Sequence, residues 1–476
     1  MSDSRLPSIS AVRNPSPVEI DASCRLPLLA LFPGAALWLL LSAVAALLAS
    51  MSFHKPDMFA DSMWLSYGRI LPFAKTLLIY GFCLPAGYGI ALWIAARLSR
   101  VKLAVPAFAM IGGKLWHLGV LIGSFGILCG ASTGHEGFEM PSYAAITLFV
   151  GALLMSAVGL ITIHQRTERE MYPSLWFIIT GFLWFPWILS TAIVLLDTAP
   201  VRGVAQSSVL AWFVNNLQFV TLGLFGMAAG LYFIPKLADK PLRSRYLAFF
   251  TLVTLVLFGS WTGVAAGGPL PAWIGVLSSV AAVFAVIPAF AHIDNLRGSC
   301  CFKTIEPEAK FFSLGVPIFF VATLLAAVGA FVHVTQFTLY RTGQQMLLVQ
   351  GFFALTALGG IYHILPKVAD LKWPFARLVR AHFWLAILGV LLIALPYAVG
   401  GWMQGVKLNN PSLPFVDIAR STLMPIRMVS VGELLWLLGG LLFAANVFAL
   451  VYRWVRVVAR PIVEAAAPIE ASEVRA

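Results

Sequence analysis

The sequence predicts an all-α polytopic membrane protein, a bundle of twelve transmembrane helices. Three observations lead to this prediction: the composition, the number of long apolar segments and the distribution of basic residues between them. Hydrophobic residues fill 60% of the 476 positions and charged residues 11%, whereas a soluble domain carries roughly 25% charged residues. Too few polar side chains remain to cover a water-exposed surface, so the composition excludes soluble enzymes, secreted modules and disordered chains.

Twelve segments are long and apolar enough to cross a bilayer, which takes about 20 apolar residues. Residues 1–26 contain acidic side chains and no short apolar run that ends at a small-residue cleavage site, so they predict a polar cytoplasmic arm and not a signal peptide. Residues 457–476 predict a flexible cytoplasmic tail, and 27–456 the membrane domain. The spans fall at 27–50, 68–96, 104–131, 141–164, 172–197, 207–235, 246–266, 272–293, 311–336, 344–366, 378–403 and 429–452.

The basic residues predict the orientation of these spans. With the amino terminus inside the cell, most of the 32 Lys and Arg residues fall in cytoplasmic segments and few in outer ones. This asymmetry is what the positive-inside rule requires, and an even number of spans places both termini in the cytoplasm. The net charge of +12 is therefore explained by membrane topology, so we expect lipid as the environment and no nucleic-acid partner.

Five motifs resemble a known family once the spans are numbered. Spans 6 and 10 close with Tyr232–Lys236 (YFIPK) and Tyr362–Lys367 (YHILPK), and span 11 opens with Arg380–Ala386 and ends with Gly401–Gly405. His333–Thr338 (HVTQFT) precedes span 10. In order and spacing these stretches are similar to the catalytic subunit I of the cbb-type cytochrome oxidases, the branch of the haem–copper oxidase superfamily nearest to nitric oxide reductases. The resemblance implies a twelve-helix bundle of the subunit I type.

In that family six histidines hold two haems and a copper ion: one on span 2, one on span 6, an adjacent pair on span 7 and two on span 10. Imidazole is a good ligand for both metals. This chain has eight histidines, none of them on spans 2, 6 or 7. Counting along span 10 from Pro366 or from His333 gives two different registers, and the second places Arg341 and Gly343 at the ligand positions. With the first, the matched positions hold Ala74, Asn215, Gly263, Val264, Gln344 and Met346.

The remaining histidines do not replace these ligands in the predicted topology. His363 lies about 28 Å further along span 10, at 1.5 Å per residue, and His117 lies on span 3, away from the ligand-bearing helices. Met346 could supply an axial thioether or simply pack. The middle of span 9, on which the family carries an acidic residue, has one hydroxyl, Thr323. We therefore predict no cofactor, neither haem b nor copper, and no working oxygen-reducing site.

Polar side chains remain around the region that these ligands would occupy. They predict either a remodelled pocket or span ends that headgroups and water solvate, and Lys75 could also extend towards the interface. An unfilled haem-sized cavity would destabilise the bundle, so we expect bulky side chains there, with Phe213, Phe219, Phe352 and Phe353 as candidates. The polar set is Lys75, Asn215, Asn216, Gln218, Arg341, Gln344 and Gln345.

Two further acidic positions allow alternative interpretations. In the loop between spans 3 and 4, His135, Glu136 and Glu139 either bind a cation or are solvated. Glu433, near the start of span 12, is predicted to be an interfacial charge, and the alternative is that it acts as a carrier.

The sequence thus predicts a multi-pass protein of a bacterial inner membrane. It would be a non-catalytic or repurposed subunit of a respiratory-type complex and would bind other membrane subunits. Two alternatives remain open: a haem-containing oxidoreductase with atypical ligands, and a transporter that uses the vacated core. The transporter requires a polar path that joins Lys75, Asn215 and Gln344.

Overall fold

The computed structural model describes residues 14–59, 61–264, 270–299 and 306–466, with side chains up to residue 459. The regular structure of these ranges is helical, which confirms the predicted all-α class. Eleven of its helices are long and apolar enough to cross a membrane, and a twelfth, α7, is a shorter apolar helix. In chain order, α1 to α12 are Pro17–Met51, Tyr67–Ser99, Pro106–Cys129, Ser142–His164, Pro173–Thr198, Val204–Ala238, Arg245–Gly259, Ala272–Leu296, Pro307–Gly329, Tyr340–Ala369, Ala376–Leu408 and Phe415–Ala466.

Helix ends differ from the predicted spans where local chemistry sets them. α1 begins at Pro17, earlier than the span predicted at 27, because Ser16 and Glu19 form a capping box, which satisfies free N–H groups of the first turn. α7 stops at Gly259, before the matched positions of span 7, and Gly263 follows with a positive φ of 86°. Residues 1–13 and 467–476, the outer parts of the predicted arm and tail, lie outside the described ranges.

Helices α2, α6 and α10 form the centre of the bundle. The apolar stretch of each of these three is 100% buried, whereas the other membrane-spanning helices are buried over about half of theirs. A helix that is apolar all round must be surrounded by other helices or by lipid. The remaining helices therefore form a ring whose outward faces meet lipid, and the three enclosed helices are the ones on which the sequence predicts the site.

Each central helix contains a short π-helical segment. These segments are Leu77–Cys83 in α2, Asn216–Thr221 in α6 and Leu347–Ala354 in α10. A π segment carries an extra residue within the helix and is common at functional sites. All three segments adjoin the matched positions, and this similarity between the three helices is not visible in the hydrophobic pattern.

The two Pro-Lys motifs close α6 and α10 at the opposite end of the bundle from the α3–α4 loop. Lys236 Nζ donates to the Tyr232 hydroxyl at 2.8 Å, and Lys367 Nζ lies 2.5 Å from His363 Nε2. Trp93 of α2 lies between the two motifs, with its ring centroid 5.7 Å from that of Tyr232 and 6.1 Å from that of His363, and its indole N–H donates to Asp21 at 2.8 Å. The motifs thus have a structural role, because they join the central helices around one buried tryptophan.

Candidate functional site

A cavity of about 380 Å³ lies among α2, α6 and α10, at the end of the bundle that carries the α3–α4 loop. Its volume is in the range of roughly 300–1,000 Å³ that small-molecule sites occupy. All of the predicted polar residues except Asn216 line it. Five of the six matched positions line it as well: Asn215, Gly263, Val264, Gln344 and Met346. The structure therefore brings together residues that are distant in the sequence.

Four polar side chains on the wall of this cavity have no hydrogen-bond partner among the described residues. Gln218, Arg341, Gln344 and Gln345 make no hydrogen bond or ion pair with any residue in the described part of the chain. An unpaired polar group away from water costs several kcal/mol, so these groups need a ligand or water inside the cavity. The arrangement is suited to hold a polar solute or a chain of water molecules.

Asn215 has a different environment, because it is tied to the end of α7. Its side-chain Nδ2 donates to the Gly259 carbonyl at 2.6 Å, and its Oδ1 accepts from the Thr262 hydroxyl at 2.6 Å. A Cβ at Gly263 would lie 3.0 Å from Asn215. Two matched positions, one on α6 and one just after the end of α7, are therefore adjacent, as residues of a shared site would be, but they are an asparagine and a glycine.

Asn216 does not belong to the cavity wall, and the prediction that included it needs correction. Its Nδ2 donates to the carbonyls of Trp212 and Ser260, and its Oδ1 accepts from Trp184 Nε1 at 3.2 Å. Neighbouring helical residues project about 100° apart, and here Asn215 faces the cavity while Asn216 faces α5 and the end of α7. Asn216 is a buried residue that joins α6 to α5 and to the α7 end.

The α3–α4 loop covers one side of the cavity with two carboxyl groups. Lys75 Nζ donates to Glu136 Oε1 at 2.6 Å, so this lysine is paired and does not extend freely to the interface. Glu139 is buried, and burial raises the pKa of its carboxyl group above the ordinary value, with nearby Lys75 acting in the opposite direction. Glu136 is thus the ion-pair partner of Lys75 on the cavity wall. This pairing removes the support for the alternative that His135 and Glu136 bind a cation.

A second, smaller cavity of about 150 Å³ lies beside the first, among α1, α2, α10, α11 and α12. Ala74, the remaining matched position, lines this smaller cavity, and Lys75, Leu78 and Met346 line both. The matched positions therefore fall in two neighbouring cavities with Met346 at their boundary. Its thioether is a type of side chain that haem iron accepts as an axial ligand.

The histidines of the described ranges lie elsewhere and have other contacts. Trp38 Nε1 donates to His117 Nδ1 at 3.0 Å, and the Tyr362 hydroxyl lies 2.8 Å from His382 Nδ1. His363 contacts Lys367 at the far end of α10, and neither nitrogen of buried His292 has a partner. In these ranges no three His, Cys, Asp or Glu side chains are grouped to hold a metal ion. The residues around the two cavities thus do not fit the family's histidine ligand set.

The four expected phenylalanines are all buried, and Phe219 is the one of the four that lines the larger cavity. Phe219 and Phe352 both contact Phe319, with ring centroids 5.2 and 4.7 Å away, while Phe213 packs on Phe138 at 5.3 Å. These rings pack with other aromatic side chains and leave a cavity of about 380 Å³ unfilled.

Comparison with known proteins gives consistent matches. The sequence model of the family described as "Cytochrome C and Quinol oxidase polypeptide I" matches residues 27–451. The chain is 25% identical to a cytochrome c oxidase subunit 1 homolog of Azorhizobium caulinodans, over 96% of this chain and 85% of that protein. It is 23% identical to the cbb3-type cytochrome c oxidase subunit CcoN1 of Stutzerimonas stutzeri, over 87% of this chain and 90% of that one.

The same result comes from solved structures. A heme-copper terminal oxidase dimer superposes with a TM-score of 0.66 at 14% identity, over 87% of this chain and 84% of that chain. At this identity the similarity establishes the fold, a twelve-helix bundle of the subunit I type, as the sequence predicted.

These matches contradict the prediction that the protein uses neither haem nor copper. The matched family consists of oxidase polypeptides, and the protein of similar structure is a heme-copper oxidase; haem and copper are the groups that this relationship implies. The prediction was wrong because it inferred the absence of the cofactors from the absence of the family's histidine ligands, and the family match contradicts that inference. The π segments of α6 and α10 shift the register of the counted positions, but they supply no histidine, since α2, α6 and α7 contain none.

Proposed function

The chain belongs to the family of the cytochrome c and quinol oxidase polypeptide I, and from that premise we propose that it is a non-catalytic or repurposed subunit I of a respiratory-type membrane complex. In this proposal residues 27–456 form the membrane unit and other membrane subunits bind its outer faces. It lies in the inner membrane of a bacterium with both termini in the cytoplasm. The relatives named above are oxidase subunits from bacteria, which supports this assignment.

The observation that supports the proposal most is the chemistry of the larger cavity. Amides and a guanidinium line it at the matched positions and beside them, and Gln344 and Arg341 have no partner in the described ranges. Amide side chains bind polar solutes and water through hydrogen bonds. A cavity rebuilt in this way is suited to binding and not to the reduction of oxygen.

The proposal is tested on the complex that the tagged chain carries out of the membrane in mild detergent. We expect other membrane subunits to co-purify in a fixed ratio. Oxygen uptake with reduced cytochrome c or a quinol is then compared between wild type and Gln344→Leu, which removes a polar group from the cavity. The haem and copper contents of the same samples are measured, so that a lost cofactor is not mistaken for lost catalysis.

If the subunit is non-catalytic, the complex takes up oxygen at the same rate with the wild-type chain as with Gln344→Leu, whether that rate is high or zero. A rate that falls at least tenfold in Gln344→Leu, at unchanged haem and copper content, would contradict the proposal and favour an oxidoreductase with atypical ligands. A chain that purifies without other subunits would contradict its role in a complex.

A transporter is the second candidate, and one observation favours it. Lys75, Asn215 and Gln344, the residues that a polar path was predicted to join, line the same cavity. Reconstituted vesicles that contain the chain alone would then take up a solute, and Gln344→Leu would reduce the uptake. Equal uptake of the solute by vesicles with and without the protein would exclude this function.

A further inference from the structure

The smaller cavity contains a buried acidic residue that neither the family's metal positions nor the proposed function uses. Glu433 on α12 lines this cavity and is 7% exposed, so it is not the interfacial charge that the sequence predicted. Its Oε2 has no hydrogen-bond partner and no solvent access. No cationic side chain of the described ranges forms an ion pair with it.

A second unpaired oxygen lines the same cavity. Gln350, in the π segment of α10, is 4% exposed, and its Oε1 also has no partner. The hydroxyl groups of Tyr397 and Thr342 line the cavity as well and are not hydrogen-bonded to other described residues. Helices α10, α11 and α12 thus each contribute at least one hard oxygen to a space of about 150 Å³.

An ionised Glu433 would have no counter-charge among the described side chains that line this cavity. Lys75 lines the cavity, but its ammonium group is already bonded to Glu136 at 2.6 Å. An ionised carboxylate that is buried without a partner is costly, and no second cation is among the described residues that line the cavity. Either a proton on Glu433 or a single cation placed among the oxygens removes this cost.

We propose that Glu433, Gln350 and Tyr397 form a binding site for one monovalent alkali cation, Na⁺ or K⁺. A carboxylate, an amide carbonyl and hydroxyl groups are hard oxygen ligands, which suit hard cations. The single carboxylate selects a charge of +1, because a divalent ion would leave the site with an excess charge in a low-dielectric interior. The volume also leaves room for water molecules to complete the coordination shell.

The cation joins three helices and therefore stabilises the bundle. Any ion that binds the folded state alone raises the midpoint of unfolding with its concentration. The purified full-length protein is unfolded by heat in NaCl, KCl or choline chloride at the same ionic strength. We expect a saturable rise of the midpoint with Na⁺ or K⁺, which fits a single site, and no rise with choline.

Three variants test the assignment. Glu433→Gln keeps the shape but not the charge, and we expect it to abolish the response to alkali ions. Gln350→Met removes the carbonyl oxygen, and we expect the half-saturating concentration to increase about tenfold. Asp417→Asn is the matched control, because Asp417 lies on the same helix but is exposed and paired with Arg420; it should respond as wild type does.

The result that overturns the site is a wild-type midpoint that does not distinguish alkali ions from choline, since Glu433 would then carry a proton. An unchanged response in Glu433→Gln overturns it equally. If Glu433→Gln does not fold, calorimetric titration of the wild type and of Gln350→Met with NaCl and KCl decides, because the proposal requires binding to the first and about tenfold weaker binding to the second.

Discussion

A single side chain in the α3–α4 loop shows how the site couples charge to folding. Glu139 is buried against the larger cavity, and the nearby backbone of Gly137 and of Glu139 itself acts to lower the pKa of its carboxyl group. Burial acts more strongly than these backbone groups and than the Lys75 charge, so the pKa is raised from its ordinary value of 4.5. The loop thus holds a carboxyl group that keeps its proton up to a higher pH in the folded state than in the unfolded state.

This shift predicts a dependence of stability on pH. Between pH 4.5 and the raised pKa of Glu139 the folded state binds more protons than the unfolded state, so the free energy of unfolding falls as the pH rises through that interval. Glu139→Gln carries no titrating proton, and its thermal midpoint should fall less over the same interval. The exposed Asp57→Asn variant should keep the full fall; identical curves for wild type and Glu139→Gln would refute the role of Glu139.

Residue chemistry was only partly predictable from the sequence. The sequence showed a set of polar residues near the matched positions, because polar residues are rare in apolar spans. This set includes Lys75, Gln218, Arg341, Gln344 and Gln345. Their partners were not visible: the bond from Lys75 to Glu136 depends on how the α3–α4 loop folds back. The burial of Glu433 was missed for the same reason, since its position near a span end says nothing about the packing of α1 and α11 against it.

At the level of elements, the motif that ends α11 is explained by close backbone contact. A Cβ at Gly401 would lie 2.0 Å from the Tyr340 backbone nitrogen, and one at Gly405 would lie 1.7 Å from the Val334 carbonyl oxygen. Gln404 Oε1 accepts from the Leu339 backbone N–H at 3.2 Å. Two glycines and a glutamine thus place the α9–α10 connection, and with it the start of α10 that carries Arg341 and Gln344.

Gly405→Ala should therefore destabilise the protein, because backbone at 1.7 Å cannot rotate away as a side chain can. Overpacking costs typically 1–3 kcal/mol and sometimes more, and we expect about 3 kcal/mol. Gly440→Ala on α12 is the matched control, since no atom lies within 4 Å of its added Cβ and alanine favours a helix over glycine by up to about 1 kcal/mol. Denaturation of both variants in detergent measures the difference, and equal stabilities would contradict this account.

The positions of the helices were predictable and their internal irregularities were not. Hydrophobic length identified all twelve helices, because a lipid environment permits little else in a membrane-spanning segment. The length of a hydrophobic segment does not predict the π segments of α2, α6 and α10, because one extra residue changes the direction in which side chains point without changing the hydropathy. The early end of α7 at Gly259 was missed because residues up to 266 remain apolar.

For the whole molecule, the described helices have one feature that makes the predicted orientation testable. Cys129 ends α3 at the α3–α4 loop and is exposed, whereas Cys24 and Cys83 are buried. If both termini are cytoplasmic, three spans place Cys129 on the outer side, next to the larger cavity. Cys300 and Cys301 lie outside the described ranges. For the labelling experiment both are replaced by serine, so that Cys129 is the exposed thiol that remains.

A membrane-impermeant maleimide added to intact spheroplasts should then label Cys129, and Cys129→Ser should remove the label. In that serine background, Gln344→Cys reports on the cavity. Because Gln344 lines an open space beside Lys75 and Glu136, we expect labelling from the same side, more slowly than at Cys129. Labelling of Cys129 only after permeabilisation would reverse the assigned topology. A Gln344→Cys thiol that reacts from neither side would show a closed cavity and would exclude the transporter, while the fold would be unaffected.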